Sequence, residues 1–215
     1  MHTEIKIAQI TITTFCNMRC PNCCCGMQVM DKSSKYFVDW DYMVNAAKYF
    51  YGTDTVDISG GEPSIHPELP VWAPKLKELF GCRLLTIDTN ATMFDKRPEM
   101  FGHFDKIYVT HYTKDTFKGC EDNIDKINFL KEYYADRPEL LHVSGEMKHV
   151  DRSRRGTGSC FRGSSGTVHY AGGRLYPCCV APGVQGARSI ELTDNWKQDI
   201  INTPPPCQNC FLAED

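Results

Sequence analysis

Three cysteines near the start of the chain, Cys16, Cys20 and Cys23, stand in the spacing C-x3-C-x2-C directly after an apolar, β-branched run. Thiolates at that spacing share one tight loop. They can hold three irons of a [4Fe–4S] cluster and leave the fourth iron without a protein ligand, open to bind and reduce something else. The competing reading is structural zinc, which usually takes four ligands in paired short spacings. Cys24 is the fourth thiol available for it, but it adjoins Cys23 and is poorly placed to close a tetrahedron. Disulfides are the weakest reading. The polar opening Met1–Lys6 lacks the apolar core of a signal peptide. Twelve cysteines in 215 residues then point to metal rather than bridges, and a cytoplasmic location is the expectation.

A second set of cysteines lies far down the chain. Cys160, Gly173 and Cys178 form C-x12-G-x4-C, and Pro204, Pro205 and Pro206 lead into Cys207 and Cys210 as C-x2-C. Four such thiolates can close a zinc ribbon or carry a further [4Fe–4S] cluster. Cys179 competes with Cys178 as the ligand. Cys82 and Cys120 have no partner spacing and read as small buried apolar residues. Cys24 and Cys25 lie beside the first loop.

The elements that must position these groups follow from periodicity. Residues 5–13 alternate apolar and polar and read as a strand. Residues 39–51 place Trp40, Met43, Val44, Ala47 and Phe50 at helical spacing, with Gly52 as the stop. Strands are expected over 54–59, 83–88 and 105–111, and a weaker one over 139–144. Helices are expected over 68–80 and 121–134. Alternating strands and helices imply an α/β fold with a parallel sheet, curled by right-handed crossovers into a partial barrel. After residue 150 the rhythm stops. Val168–Tyr170 and Arg174–Tyr176 flank Ala171-Gly172-Gly173, a hairpin signal, and a helix is expected over 190–201. The division read from this is 1–150 for the partial (β/α) barrel and 151–215 for a small hairpin-plus-helix metal module. A complete (β/α)8 barrel needs roughly 250 residues, more than this chain has.

In such sheets ligands collect at the carboxyl ends of the strands, and the polar residues of interest stand there. Ser59-Gly60-Gly61-Glu62-Pro63 ends the second strand, about 40 residues after the cysteine loop. Asp88, Thr89 and Asn90 end the third, and Thr110 and His111 end the fourth. Turn chemistry alone would also favour Asp and Asn at such places. The net charge of −3 weighs against general nucleic-acid affinity. No apolar run approaches ~20 residues, so no membrane span is expected.

The cysteine loop and the Gly-Gly-Glu segment together resemble the radical S-adenosylmethionine (radical SAM) enzymes. The pattern from Cys160 to Cys210 resembles the twitch module of that family, the shortened relative of SPASM. The resemblance implies a TIM-like partial barrel and two [4Fe–4S] clusters, one on Cys16, Cys20 and Cys23 and one auxiliary on Cys160, Cys178, Cys207 and Cys210. It implies S-adenosylmethionine bound at the open iron, near Asn22, Gly60, Gly61, Glu62, Asp88, Asn90 and Thr110. Asn22 stands where the family often has an aromatic residue, and Ala91 where it has a glycine after Asn90. Reductive cleavage of the sulfonium would give a 5′-deoxyadenosyl radical that abstracts hydrogen from a small-molecule substrate. A flavodoxin or ferredoxin would supply the electron.

The cysteine layout resembles that of small twitch-type dehydrogenases, so the expectation is a two-electron oxidation with the auxiliary cluster as electron acceptor. Radical isomerisation or epimerisation is the first alternative. Modification of a peptide or a nucleic-acid base is the second. Lys148, His149, Arg152, Arg154 and Arg155 follow the last barrel strand and suit a phosphate or carboxylate. Arg152 is the candidate for assisting a proton transfer, and a solvated basic linker is the plain alternative.

Overall fold

The computed structural model describes residues 5–20, 23, 35–116, 120–144, 166–177 and 188–203. Five strands follow the expected rhythm: β1 (Ile7–Thr13), β2 (Thr55–Gly60), β3 (Leu84–Thr89), β4 (Lys106–Thr110) and β5 (Leu141–Ser144). Between them run α1 (Trp40–Phe50), α2 (Leu69–Phe80), the short α3 (Pro98–Phe101) and α4 (Ile124–Tyr133). Asp39 starts α1 by accepting from the Tyr42 amide at 2.8 Å, which satisfies one of the free N–H groups of the first turn.

The hairpin of β6 (Thr167–Ala171) and β7 (Arg174–Tyr176) is present, followed by β8 (Ile190–Glu191) and α5 (Trp196–Asn202). All eight strands share one sheet in the order β5-β4-β3-β2-β1-β6-β7-β8. Every neighbouring pair from β5 to β6 is parallel, and β7 and β8 add on antiparallel. The sheet is therefore open, with β5 and β8 at its edges, as the expected partial barrel requires. The hairpin extends this sheet, since β6 lies beside β1.

One expected element is corrected. The helix read over 190–201 begins only at Trp196, and Ile190–Glu191 pair with β7 instead. Thr193, Asp194 and Asn195 stand just before the helix, and such side chains compete for the backbone and favour a helix start over a helix interior. Thr193 shows this directly, accepting from the Asn195 amide at 3.3 Å.

The strands alternate. Ala8, Ile10 and Ile12 of β1, Val56 and Ile58 of β2 and Leu85 and Ile87 of β3 are buried in one cluster with Met43, Phe50, Leu76 and Phe80 of the helices. Their alternates are polar. Gln9 and Thr11 of β1, Asp57 of β2, Thr86 of β3 and His169 of β6 are buried as well. Among the described residues, no helix is long and apolar enough to cross a membrane.

Candidate active site

The cysteine loop leaves β1 at Thr13, where β2 comes unusually close. The Gly61 amide donates to the Thr13 carbonyl at 2.7 Å and the Glu62 amide to the Phe15 carbonyl at 2.8 Å. A Cβ on Gly60 would overlap the Thr13 backbone, and one on Gly61 would overlap the Phe15 carbonyl. Only glycine permits this approach. The two glycines thus lock the backbone that enters the cysteine loop against the end of β2.

Glu62 is 1% exposed and its carboxylate is committed inside the protein. Oε1 accepts from the Ser64 amide at 3.0 Å, from the Ser64 hydroxyl and from Thr89 Oγ1 at 2.7 Å. Oε2 accepts from the Asn90 amide at 2.7 Å. Burial raises its pKa, against the pull of these donors. Glu62 therefore ties the end of β2 to the end of β3.

Asn90 is 7% exposed and reaches the cysteine loop. Its Nδ2 donates to Asn17 Oδ1 at 2.9 Å and lies 4.0 Å from Cys16 Sγ. Asn17 in turn donates to Thr92 Oγ1 at 2.7 Å. Ala91 sits at a left-handed φ of 68°, a conformation that glycine adopts without strain and alanine does not. Asp88 is exposed and belongs to a different set of contacts. Its Oδ2 accepts from Gln9 Nε2 at 3.0 Å, while Asp57 accepts from the same nitrogen at 2.7 Å and from Thr86 Oγ1 at 2.6 Å. Gln9 Oε1 then faces His169 Nδ1 at 2.9 Å, and His169 Nε2 faces Thr11 Oγ1 at 2.8 Å. Because Gln9 Oε1 can only accept, Nδ1 carries the proton and Nε2 accepts from Thr11. The imidazole is neutral, its pKa pushed down to about 3 by burial.

The thiols themselves are partly buried. Burial pushes Cys16 up to about 12, with the Met18 amide opposing. Burial pushes Cys20 up to about 11, with its hydrogen bond to Tyr112 opposing. Such thiols keep their protons unless a cation replaces them, and metal binding releases those protons. Among the described residues, no three His, Cys, Asp or Glu side chains converge as a group for one metal ion. A cluster asks each thiolate to meet a different iron. A soft three-thiol set on one loop fits such a cluster, which Cys16, Cys20 and Cys23 would hold.

Thr110 is half-buried at the end of β4, and His111 Nε2 lies 3.6 Å from Asp122 Oδ1. Cys82 is buried in the main core, as expected. Cys120 is buried too, but in a small separate cluster with Cys20 and Tyr112, against which Met18 and Cys23 pack. Neither Tyr112 nor the buried Asn123 was legible as a site residue, because each acts through tertiary contacts rather than a motif. Asn22, Arg152, Cys160, Cys178, Cys207 and Cys210 lie outside the described residues, as do Lys148, His149, Arg154, Arg155, Cys24, Cys25 and Cys179.

The comparisons agree with this geometry. BtrN in complex with AdoMet and 2-DOIA overlays with a TM-score of 0.67 at 14% identity, covering 100% of this chain and 94% of that one. SeMet BtrN in an open conformation overlays with a TM-score of 0.50 at 16% identity, over 83% of this chain and 72% of that one. At those identities the likeness speaks for the fold. GTP 3′,8-cyclase of Hydrogenovibrio crunogenus is 29% identical over 97 residues, which are 43% of this chain and 29% of that protein. The chain thus spans less than a third of that relative's length. The profile of the Radical SAM superfamily matches residues 10–138, a stretch that holds the cysteine loop, Gly60–Glu62 and Asn90. With that match over more than half of its length, the chain belongs to the radical SAM superfamily, whose members use a [4Fe–4S] cluster and S-adenosylmethionine.

Proposed function

We propose that the chain is a radical SAM oxidoreductase of the dehydrogenase kind, removing two electrons from a small polar substrate. The reading assigns a [4Fe–4S] cluster and S-adenosylmethionine to the site of Cys16, Cys20 and Cys23. It assigns an auxiliary [4Fe–4S] cluster to Cys160, Cys178, Cys207 and Cys210 in a twitch-type module spanning 151–215. The observation that carries it is the cysteine layout, C-x3-C-x2-C followed by C-x12-G-x4-C and C-x2-C, which resembles that of 2-deoxy-scyllo-inosamine dehydrogenase. The overlay with BtrN over the whole chain supports a fold able to carry it.

When bound, cluster and S-adenosylmethionine supply one-electron cleavage of the sulfonium and a 5′-deoxyadenosyl radical. The protein's own part is positional. Main chain at Gly60 and Gly61, beside Glu62, would meet the amino group of the methionine moiety. Asn90, held by Glu62 through its amide, would orient the nucleoside beside Cys16. Asn22 would offer backbone to the adenine, and Asp88 and Thr110 would face the ribose or carboxylate. Arg152 and its basic neighbours would hold a substrate anion and assist departure of a proton.

The test is anaerobic turnover on candidate small molecules, read by mass spectrometry with the metal content of the reconstituted protein. The reading expects S-adenosylmethionine consumed in proportion to product, product two hydrogens lighter than substrate, and about eight irons per chain. Unchanged product mass would replace oxidation by isomerisation. About four irons with one zinc would remove the auxiliary cluster. Failure on every free small molecule would turn attention to a peptide or a nucleic-acid base. Cys20→Ala should abolish 5′-deoxyadenosine formation, and undiminished formation would overturn the site itself.

A further inference from the structure

Two buried side chains that no motif names hold the cysteine loop from the β4 side. Tyr112, 6% exposed, brings its phenol oxygen to 3.8 Å from Cys20 Sγ, within the reach of a sulfur hydrogen bond. It stands two residues beyond β4, and Asn123 clasps it there. The Tyr112 amide donates to Asn123 Oδ1 at 2.9 Å, and the Asn123 amide donates back to the Tyr112 carbonyl at 3.2 Å. Asn123 Nδ2 donates to the Thr110 carbonyl at 2.9 Å and to the Asn90 carbonyl at 3.0 Å. One asparagine therefore fixes both residues that reach the loop, Asn90 at Cys16 and Tyr112 at Cys20. A side chain 5% exposed with both of its amide atoms engaged has little freedom to let either of them drift.

We propose that Tyr112 donates a hydrogen bond to the Cys20 thiolate of the loaded cluster and raises that cluster's reduction potential, with Asn123 as the residue that positions it. The chemistry follows from proton count. In the metal-free protein the Cys20 thiol donates to the Tyr112 oxygen. Ligation to iron removes the thiol proton, after which sulfur can only accept and the phenol must donate. Reduction adds an electron to the cluster and makes its sulfur ligands better acceptors. A donor aimed at one of them stabilises the reduced form more than the oxidised one, and hydrogen bonds to sulfur are a known lever on cluster potentials. Burial strengthens the effect, because a hydrogen bond is electrostatically stronger away from bulk water. Phenylalanine at position 112 would fill the same volume and leave the ligand without its donor.

The inference rests on Cys16, Cys20 and Cys23 holding the cluster, and not on the substrate or the auxiliary cluster. Its test is a redox titration of the full chain, reconstituted anaerobically and followed by EPR. The cluster in question is identified by the signal that changes when S-adenosylmethionine is added. Tyr112→Phe should take up the same iron as the parent. At the parent's midpoint its ratio of reduced to oxidised cluster should fall about tenfold, which is about 59 mV for a one-electron couple. Asn123→Ala should shift the midpoint the same way by less. Fluorotyrosine at position 112 is a stronger donor of the same shape and should move the midpoint up; this arm decides the matter should Tyr112→Phe fail to assemble. Resonance Raman offers a readout that simple packing would not move. The Fe–S(Cys) stretches of the parent should shift in heavy water more than those of Tyr112→Phe. An intact cluster with unchanged midpoints in both Tyr112 variants overturns the inference and leaves the site reading standing. A Cys20→Ala protein that keeps the SAM-responsive signal overturns both.

Discussion

On one face of the central strands Ala8, Ile10, Ile12, Val56, Ile58, Leu85 and Ile87 are buried against helices. On the other face of the same strands Gln9, Thr11, Asp57 and Thr86 are just as buried, joined by His169. The first face is held by contacts without direction, so many apolar side chains of similar volume would serve. The second is held by hydrogen bonds, which have direction and named partners. There a substitution changes charge, tautomer or geometry before it changes bulk. The comparison teaches that this sheet keeps its apolar packing on one side and its buried polar contacts on the other, joined at the strand ends where Gly60, Gly61 and Glu62 sit.

The comparison can be broken at either face. The largest expected effect is on the apolar side. Phe50 is fully buried and packs its ring on Trp196 with centroids 5.1 Å apart; Phe50→Ala should cost about 3–5 kcal/mol in urea unfolding, without altering the metal affinity of the surviving folded protein. Next comes the strand-end lock. Gly61→Ala puts a methyl group into the Phe15 carbonyl and should cost about 1–3 kcal/mol. It should also lower cluster uptake, since Phe15 precedes Cys16; normal iron content in this variant would separate the lock from the loop.

The polar face should declare itself through pH. His169 is held neutral with a pKa of about 3, against about 6.5 in the unfolded chain. The group's folded pKa is depressed, so its contribution is complete above pH 6.5 and is lost as pH falls toward 3. The slope in that window is up to about 1.4 kcal/mol per pH unit. His169→Gln removes this proton linkage and should flatten the acid limb of a stability-against-pH curve. An unchanged limb would mean the imidazole is not buried and neutral. The smallest effect is expected at Ala91, where glycine would relieve the left-handed strain and stabilise by up to about 1 kcal/mol. A loss on Ala91→Gly would show that the strain is imposed on the loop by its neighbours rather than by the residue.

Much of this was readable from the chain. The strands and helices followed from periodicity because helices cover one face of the sheet, which leaves the alternation of β1 visible as Ile-Ala-Gln-Ile-Thr-Ile-Thr. The cysteine loop and the Gly-Gly-Glu segment were readable because they are local, each set by spacing. The partners of Glu62 were not. Its carboxylate accepts from Thr89 and Asn90 as well as from Ser64, and nothing in spacing announces a contact to residues almost thirty positions away. The pairing of Gln9 with His169 spans 160 positions and depends on β6 coming to rest beside β1. Asn123 looks like an ordinary residue ahead of a helix and gains its meaning only from three carbonyl or amide partners on two strand ends. The β8 correction has the same origin, since two residues form a strand there only because β7 offers an edge.

The parallel pairing of β1 with β6 has a consequence for synthesis. As the chain emerges from the ribosome, β1 can acquire β2 on one flank early, but its other flank stays bare until residues 167–171 have been made. Until then β1 keeps a row of unpaired N–H and C=O groups along one edge, which is a template for pairing with another strand. Arrival of β6 fills that edge, with a segment that lies between Cys160 and Cys178 in the chain.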